Sequence, residues 1–258
     1  MSIKAIALDI DGTLTNDAKV VTPRTKEALL AAQRSGIRLI LSSGRPVQGL
    51  RAIAAELELQ DNGGLLVAFN GARVIDAQTD EVLFDQPMEE RALRALVGHM
   101  RDFDVIPWIT EGKYLYVERG CRHTITYRDA PFDIVDYERR MCDLELVEVD
   151  DLLEVCSRPQ DKLLCASEPE YLQAHWRAMH EPFTDTLSGM FTADFYFEFM
   201  GPWHQQGQCV GRLAAQDRHR RVRGDRVRRR PERHLHARMG GHRRGDGQCD
   251  RCRQGCGR

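Results

Sequence analysis

At 258 residues the chain is long enough for one large domain or two modest ones with real cores. No stretch approaches the roughly 18 apolar residues of a membrane span, and Asp9 interrupts the short apolar run at the N-terminus, so neither a membrane protein nor a signal peptide is expected and a cytoplasmic chain is. The formal net charge of −2 conceals a split: residues 211–258 hold 16 Arg, no Lys and 5 acidic residues, a net +11, which leaves −13 on the rest.

In chain order, residues 3–8 read as a buried strand that runs out into Asp9-Ile10-Asp11-Gly12-Thr13-Leu14. Thr22-Pro23 then starts a helix, with an N-cap and Pro at the first helical position, and Gly36 ends it. A second buried strand at 37–41 leads into Ser42-Ser43-Gly44-Arg45-Pro46, a helix follows at about 47–59, and a third strand at 65–69 ends at Asn70-Gly71. Strands alternating with helices over short connections describe a parallel α/β sheet, and such sheets bind ligands at the carboxyl ends of their strands. From about Met88 the pattern becomes mixed α+β: a helix at 89–103, short strands at 105–109, 114–117, 144–149 and 162–166, a helix at 168–179, and one more strand at 191–199. Five of the eight cysteines (Cys121, Cys142, Cys156, Cys165, Cys209) lack motif spacing and read as reduced structural thiols.

A buried strand that ends in acids is expensive unless a cation waits there. Asp9 and Asp11, two residues apart, fall on one side of an extended chain. One could attack phosphorus, and the other could protonate a leaving oxygen and then activate water. Ser43 and Gly44 could offer a hydroxyl and backbone N–H groups to phosphate oxygens. The plainer alternatives are a solvated turn for Asp9–Thr13, an exposed helix-start charge for Arg45 and an ordinary turn for Asn70-Gly71.

Together, the Asp9-x-Asp11-Gly12-Thr13-Leu14 loop, Ser43-Gly44-Arg45-Pro46, Asn70-Gly71-Ala72 and the late Phe197-Glu198-Phe199-Met200 resemble a Cof-type, sugar-phosphatase-like member of the haloacid dehalogenase (HAD) superfamily. The resemblance covers residues 1 to about 202 in order and spacing. It implies a Rossmannoid parallel-sheet core with an inserted α+β cap: residues 1–85 as the first part of the core, 86–190 as the cap and 191–202 as the return to the core. It also implies Asp9 as phosphorylated nucleophile and Asp11 as general acid/base. Gly12, Thr13, Ser43, Gly44, Arg45 and Asn70 would lie around the phosphate and substrate, and Mg²⁺ would bind the Asp9 carboxylate and the Asp11 backbone carbonyl. A small phosphorylated metabolite is the implied substrate, selected by the cap. Phosphomutase-like transfer on the same scaffold is the alternative.

The family also places a lysine and a later Gly-Asp-x-x-x-Asp loop after the cap, and neither is present; no lysine occurs after Lys162. Read one nucleotide out of frame, Trp203 and His204 force a Gly, and the codons to Cys209 permit Ile-Asn-Lys-Gly-Asn-Ala, the Lys lying under Gln206. With CGN arginine codons, Val227 to Arg233 permit Phe-Gly-Asp-Gly-x-Asn-Asp, and Met239-Gly240 forces a Trp. The reading that follows is a frameshift at Pro202–Trp203, with residues 203–258 an aberrant, disordered tail in place of the rest of the core.

Under that reading Cys249, Cys252 and Cys256, with His234, His236 and His242 upstream, form an accidental rather than a zinc-binding pattern. The arginine run 226–233 would grip nucleic acid non-specifically at best, so no specific nucleic-acid partner is expected, and a non-enzymatic basic-tail binder stays as a second alternative. Without the lysine and the third acid, an impaired enzyme is expected, with its first strand left as an exposed edge. The sequence leaves the oligomeric state and the physiological substrate open.

Overall fold

The computed structural model describes residues 3–202. The expected frameshift, the tail arginines and the Cys249–Cys256 pattern lie outside the described residues.

The first layer is a five-stranded sheet in the order β1-β2-β3-β4-β5: β1 (Ala5–Asp9), β2 (Arg38–Ser42), β3 (Leu65–Ala68), β4 (Arg73–Asp76) and β5 (Val82–Asp85). β1, β2 and β3 are parallel, and β4 and β5 add an antiparallel hairpin. The hairpin closes where the Asp76 carboxylate accepts from the N–H groups of Gln78 and Thr79. Helix α1 (Pro23–Arg34) starts at Thr22, whose hydroxyl accepts from Thr25 N at 3.3 Å, and Gly36 at φ +81° turns the chain out of it. With α2 (Gln48–Glu56) it covers one face of the sheet over Leu39, Leu41, Leu50, Leu57 and Leu66. Ile40, Leu65, Val67 and Val74 form a smaller cluster on the other face.

Among the described residues β1 pairs on one side only, with β2. Its side chains alternate between half-buried and exposed: the apolar run alone reads as a buried strand, whereas among the described residues it lies at the sheet edge, as expected if the rest of the core is replaced.

The second layer begins with α3 (Glu90–Met100) and contains a six-stranded sheet in the order β10-β7-β6-β11-β13-β12. Its strands are β6 (Ile106–Glu111), β7 (Tyr114–Glu118), β10 (Glu145–Val149), β11 (Lys162–Ala166), β12 (Ser188–Ala193) and β13 (Tyr196–Met200). One face packs Ile109, Leu163, Cys165, Phe197 and Phe199 against α3 and α5 (Pro169–His180). The opposite face packs Trp108, Leu164 and Tyr196 against α4 (Ile134–Met141) and the hairpin of β8 (Thr124–Tyr127) and β9 (Ala130–Asp133). No helix among the described residues is long and apolar enough to cross a membrane.

Pairing corrects one expected element and one boundary. The single strand expected at 191–199 is a hairpin, β12 turning into β13, and β13 pairs antiparallel with β11. Residues 196–200 therefore belong to the second sheet rather than to a return into the first. Strand alternation explains it: Phe197 and Phe199 fill one side of this sheet while Tyr196, Glu198 and Met200 face the other, so every residue of the run is buried.

Candidate active site

The turn after β1 is closed by its own backbone: Leu14 N donates to Asp9 O at 3.1 Å and Thr15 N to Ile10 O at 3.0 Å. Gly12, at φ +78°, supplies the left-handed residue this closure needs. Thr13 Oγ1 donates to Asp9 Oδ2 at 2.9 Å and so orients that carboxylate.

The loop after β2 is held from its carbonyl side. Asn70 N donates to Ser43 O at 3.0 Å, and Phe69 N donates to Arg45 O at 3.0 Å. Phe69 and Asn70 both have positive φ, so the turn after β3 bends back onto this loop. A Cβ on Gly44 would stand 2.8 Å from Asn70 Oδ1, which is why the closest approach falls on a glycine. Ser43 Oγ accepts from Arg45 N at 3.2 Å.

These loops meet in one cleft of about 380 Å³ between the layers, whose lining includes Asp9, Asp11, Ser43, Gly44, Arg45 and Asn70. The structure thus brings together six of the residues singled out from sequence, with Gly12 and Thr13 in the turn that shapes Asp9. Two contacts add to what the sequence implies. The plainer alternative for Arg45, an exposed helix-start charge, does not hold: its Nε and Nη2 donate to the two oxygens of Asp11. The Asn70 side-chain amide faces the second sheet, donating to Glu198 Oε2 at 2.8 Å and to Met200 Sδ at 3.4 Å.

Four further charged residues line the cleft that sequence reasoning did not single out as site residues: Lys19, Glu138, Lys162 and Glu198. Lys19 Nζ donates to Asp11 Oδ1 at 2.8 Å, so the cationic balance expected to be missing from Asp11 is supplied in part by Lys19 and Arg45. Burial alone would raise the Asp11 carboxyl, but bonds from Arg45 and Lys19 outweigh it and hold it below its ordinary value. Glu138 is pushed up by burial despite the nearby Lys162, and its carboxyl accepts from Tyr196 Oη at 3.2 Å. A signal was present in the sequence: Glu198 is a lone acid in the otherwise apolar β13, and Lys162 opens the apolar β11. A buried strand tolerates a charge only with a partner.

Mg²⁺ prefers near-octahedral oxygen coordination. Among the described residues there is no group of three or more His, Cys, Asp or Glu able to hold a metal ion. The expected ligands, the Asp9 carboxylate and the Asp11 backbone carbonyl, supply too few oxygens for such a shell, and the Asp11 side chain cannot add to them while both its oxygens are taken by Arg45 and Lys19. This donor set does not by itself make a resident Mg²⁺ site.

The family model for haloacid dehalogenase-like hydrolases matches residues 6–218. The candidate phosphatase M6_Spy0533 of Streptococcus pyogenes serotype M6 is 28% identical over 224 residues, covering 83% of this chain and 76% of its own length. Among solved structures, a haloacid dehalogenase-like hydrolase from Bacteroides thetaiotaomicron superposes with a TM-score of 0.75 at 23% identity, over 84% of this chain and 77% of its own. The HAD subclass IIB sugar phosphatase BT4131 superposes with a TM-score of 0.66 at 15% identity, over 83% of this chain and 76% of its own. By the length of that family match, which runs through both layers and the cleft between them, the chain belongs to the haloacid dehalogenase-like hydrolases.

Proposed function

We propose that this chain carries the active-site frame of a phosphate-monoester phosphatase acting on small phosphorylated metabolites such as sugar phosphates, through an aspartyl-phosphate. The observation that carries the reading is the convergence of Asp9, Asp11 and the Ser43–Arg45 loop in one cleft. Asp9, oriented by Thr13, attacks phosphorus with a carboxylate oxygen, and the ester oxygen leaves with a proton from Asp11. Asp11 then takes a proton from the water that hydrolyses the intermediate.

The ion pairs on Asp11 set the order of events. While Arg45 and Lys19 hold it, Asp11 is a carboxylate and cannot donate a proton. A bound phosphate dianion competes for both cations, and their departure lets the Asp11 carboxyl rise toward the range where it carries one. Ser43 Oγ and the backbone of Gly44 complete the phosphate's partners.

Phosphatases of this family generally use Mg²⁺. The Asp9 carboxylate and the Asp11 backbone carbonyl alone would hold the ion weakly, and with the out-of-frame reading of residues 203–258 this gives an impaired enzyme in the cytoplasm. The test is hydrolysis of p-nitrophenyl phosphate with added Mg²⁺ by the purified chain. The expected rate lies far below the roughly 10 s⁻¹ typical of enzymes. A rate at that level, abolished by Asp9→Asn, would refute the impairment and support Asp9 as nucleophile. Sequencing codons 200–205 tests the frame directly: an inserted or deleted base is expected.

A further inference from the structure

Lys162 and Glu198 are the most buried ion pair among the described residues, with side chains 5% and 4% exposed. Burying two charges costs more than their attraction returns unless further bonds satisfy them. They lie on neighbouring antiparallel strands of the second sheet, where Lys162 faces Met200 and Glu198 faces Leu164 in register. Lys162 Nζ donates to Glu198 Oε1 at 2.8 Å. Both residues then reach across to the first layer: Lys162 Nζ donates to Gly44 O at 2.9 Å, and Glu198 Oε2 accepts from Asn70 Nδ2 at 2.8 Å.

The contact with Gly44 completes a set. The loop after β2 presents three successive carbonyls, of Ser43, Gly44 and Arg45. The outer two are held by Asn70 N and Phe69 N from within the first layer. The middle one is held by Lys162, from the second layer. Because the peptide unit is planar and trans, the direction of Gly44 O fixes the opposite direction of Arg45 N–H, which meets Ser43 Oγ. The position of the serine hydroxyl and the start of Arg45 thus follow from where the second domain places one ammonium group. Burial would lower the Lys162 ammonium, but Glu198 and Glu138 outweigh it and keep it charged.

We propose that Lys162 and Glu198 are positioning residues: they make the geometry of the Ser43–Arg45 loop depend on the second domain being seated. Seating locks the Gly44–Arg45 peptide, and lifting the domain releases it. This rests on the reading of the loop as the phosphate side of the site.

The test uses the full chain, hydrogen exchange of peptides covering 42–46 and 69–72, and binding of inorganic phosphate by calorimetry. In K162M/E198M, which leaves no unpaired buried charge, exchange in both peptides should rise about tenfold or more, while a control peptide over 93–100 is unchanged. Phosphate affinity should fall by a similar factor. K162Q/E198Q keeps a donor at 162 and an acceptor at 198 without charge, and should return exchange to within about threefold of the native chain. Unchanged loop exchange in a folded K162M/E198M overturns the proposal, as does equally fast exchange in K162Q/E198Q, which serves alone if the methionine variant does not fold. If loop exchange responds as expected but the native chain binds no phosphate, the positioning role stands and the phosphate reading of the loop fails.

Discussion

Arg45 grips Asp11 through two parallel bonds, Nε to Oδ2 and Nη2 to Oδ1, each 2.8 Å long, while its Nη1 donates to the Met141 carbonyl of the second layer at 3.0 Å. One guanidinium therefore ties the candidate acid/base to the neighbouring layer. Its own basicity is reduced by burial but raised more by Asp11, so it stays charged.

The pair has a pH signature. A carboxyl whose folded value is depressed contributes stability above its unfolded value of about 3.9, and that stability is lost as pH falls through the folded value. Arg45→Met removes the bidentate partner of Asp11, so its titration should move upward and acid unfolding should begin at a higher pH. Carbon-13 NMR of the Asp11 carboxyl checks this; an unmoved titration would contradict the role given to Arg45.

Asp161 behaves in the opposite sense. Burial pushes its carboxyl up to about 7, against the pull of Arg73, whose Nη2 lies 3.0 Å away, and with the nearby Asp85 adding to the rise. A raised carboxyl favours the neutral form in the fold, so stability is lost as pH rises from about 4 through 7. Asp161→Asn mimics the neutral acid. Its urea midpoint should change less between pH 5 and pH 8 than that of the native chain, and a steeper change would refute the assignment.

Gly49 in α2 abuts Cys142 across the two layers: a Cβ there would lie 3.1 Å from Cys142 Sγ and 3.2 Å from its Cα. Gly49→Ala gains about 1 kcal/mol of helix propensity but forces an overpacked contact worth about 1–3 kcal/mol in the other direction. The expected net result is a lower Tm and a larger radius of gyration in small-angle scattering. A higher Tm with unchanged scattering would show that the interface yields freely.

Ile3, 68% exposed, stands just before the edge strand β1. Exposed apolar edges template association between chains. Ile3→Lys should slow aggregation on heating, measured by light scattering, without lowering the urea midpoint; aggregation at an unchanged rate would place the association surface elsewhere.

Local signals made much of the first layer legible. Thr22, Pro23 and Gly36 bracket α1 because capping and left-handed turns act within a few residues. Asp9, Asp11, Ser43, Gly44 and Arg45 could be read because each sits where an apolar run stops. The hairpin of β4 and β5 is not legible because each four-residue strand ends in charge, at Arg73, Asp76 and Asp85, which leaves apolar runs of only two and three residues. The β12–β13 hairpin was read as one strand because its turn is only two residues long, Asp194-Phe195. The pairing of Lys162 with Glu198 is not legible for a different reason: they are 36 residues apart, and only strand pairing makes them neighbours.

The turn from Asp9 to Thr15 owes its shape to bonds among those seven residues: the backbone N–H donors of Thr13, Leu14 and Thr15, the Thr13 hydroxyl on Asp9, and the Thr15 hydroxyl on the Ile10 carbonyl at 3.0 Å. Such a signature is portable. It keeps its outline whatever becomes of distant parts of the chain, so it certifies ancestry more readily than turnover. The Ser43–Arg45 loop is the reverse, a shape on loan from Phe69, Asn70 and Lys162. Damage elsewhere in the chain should therefore register first at the serine loop, while the aspartate turn goes on looking intact.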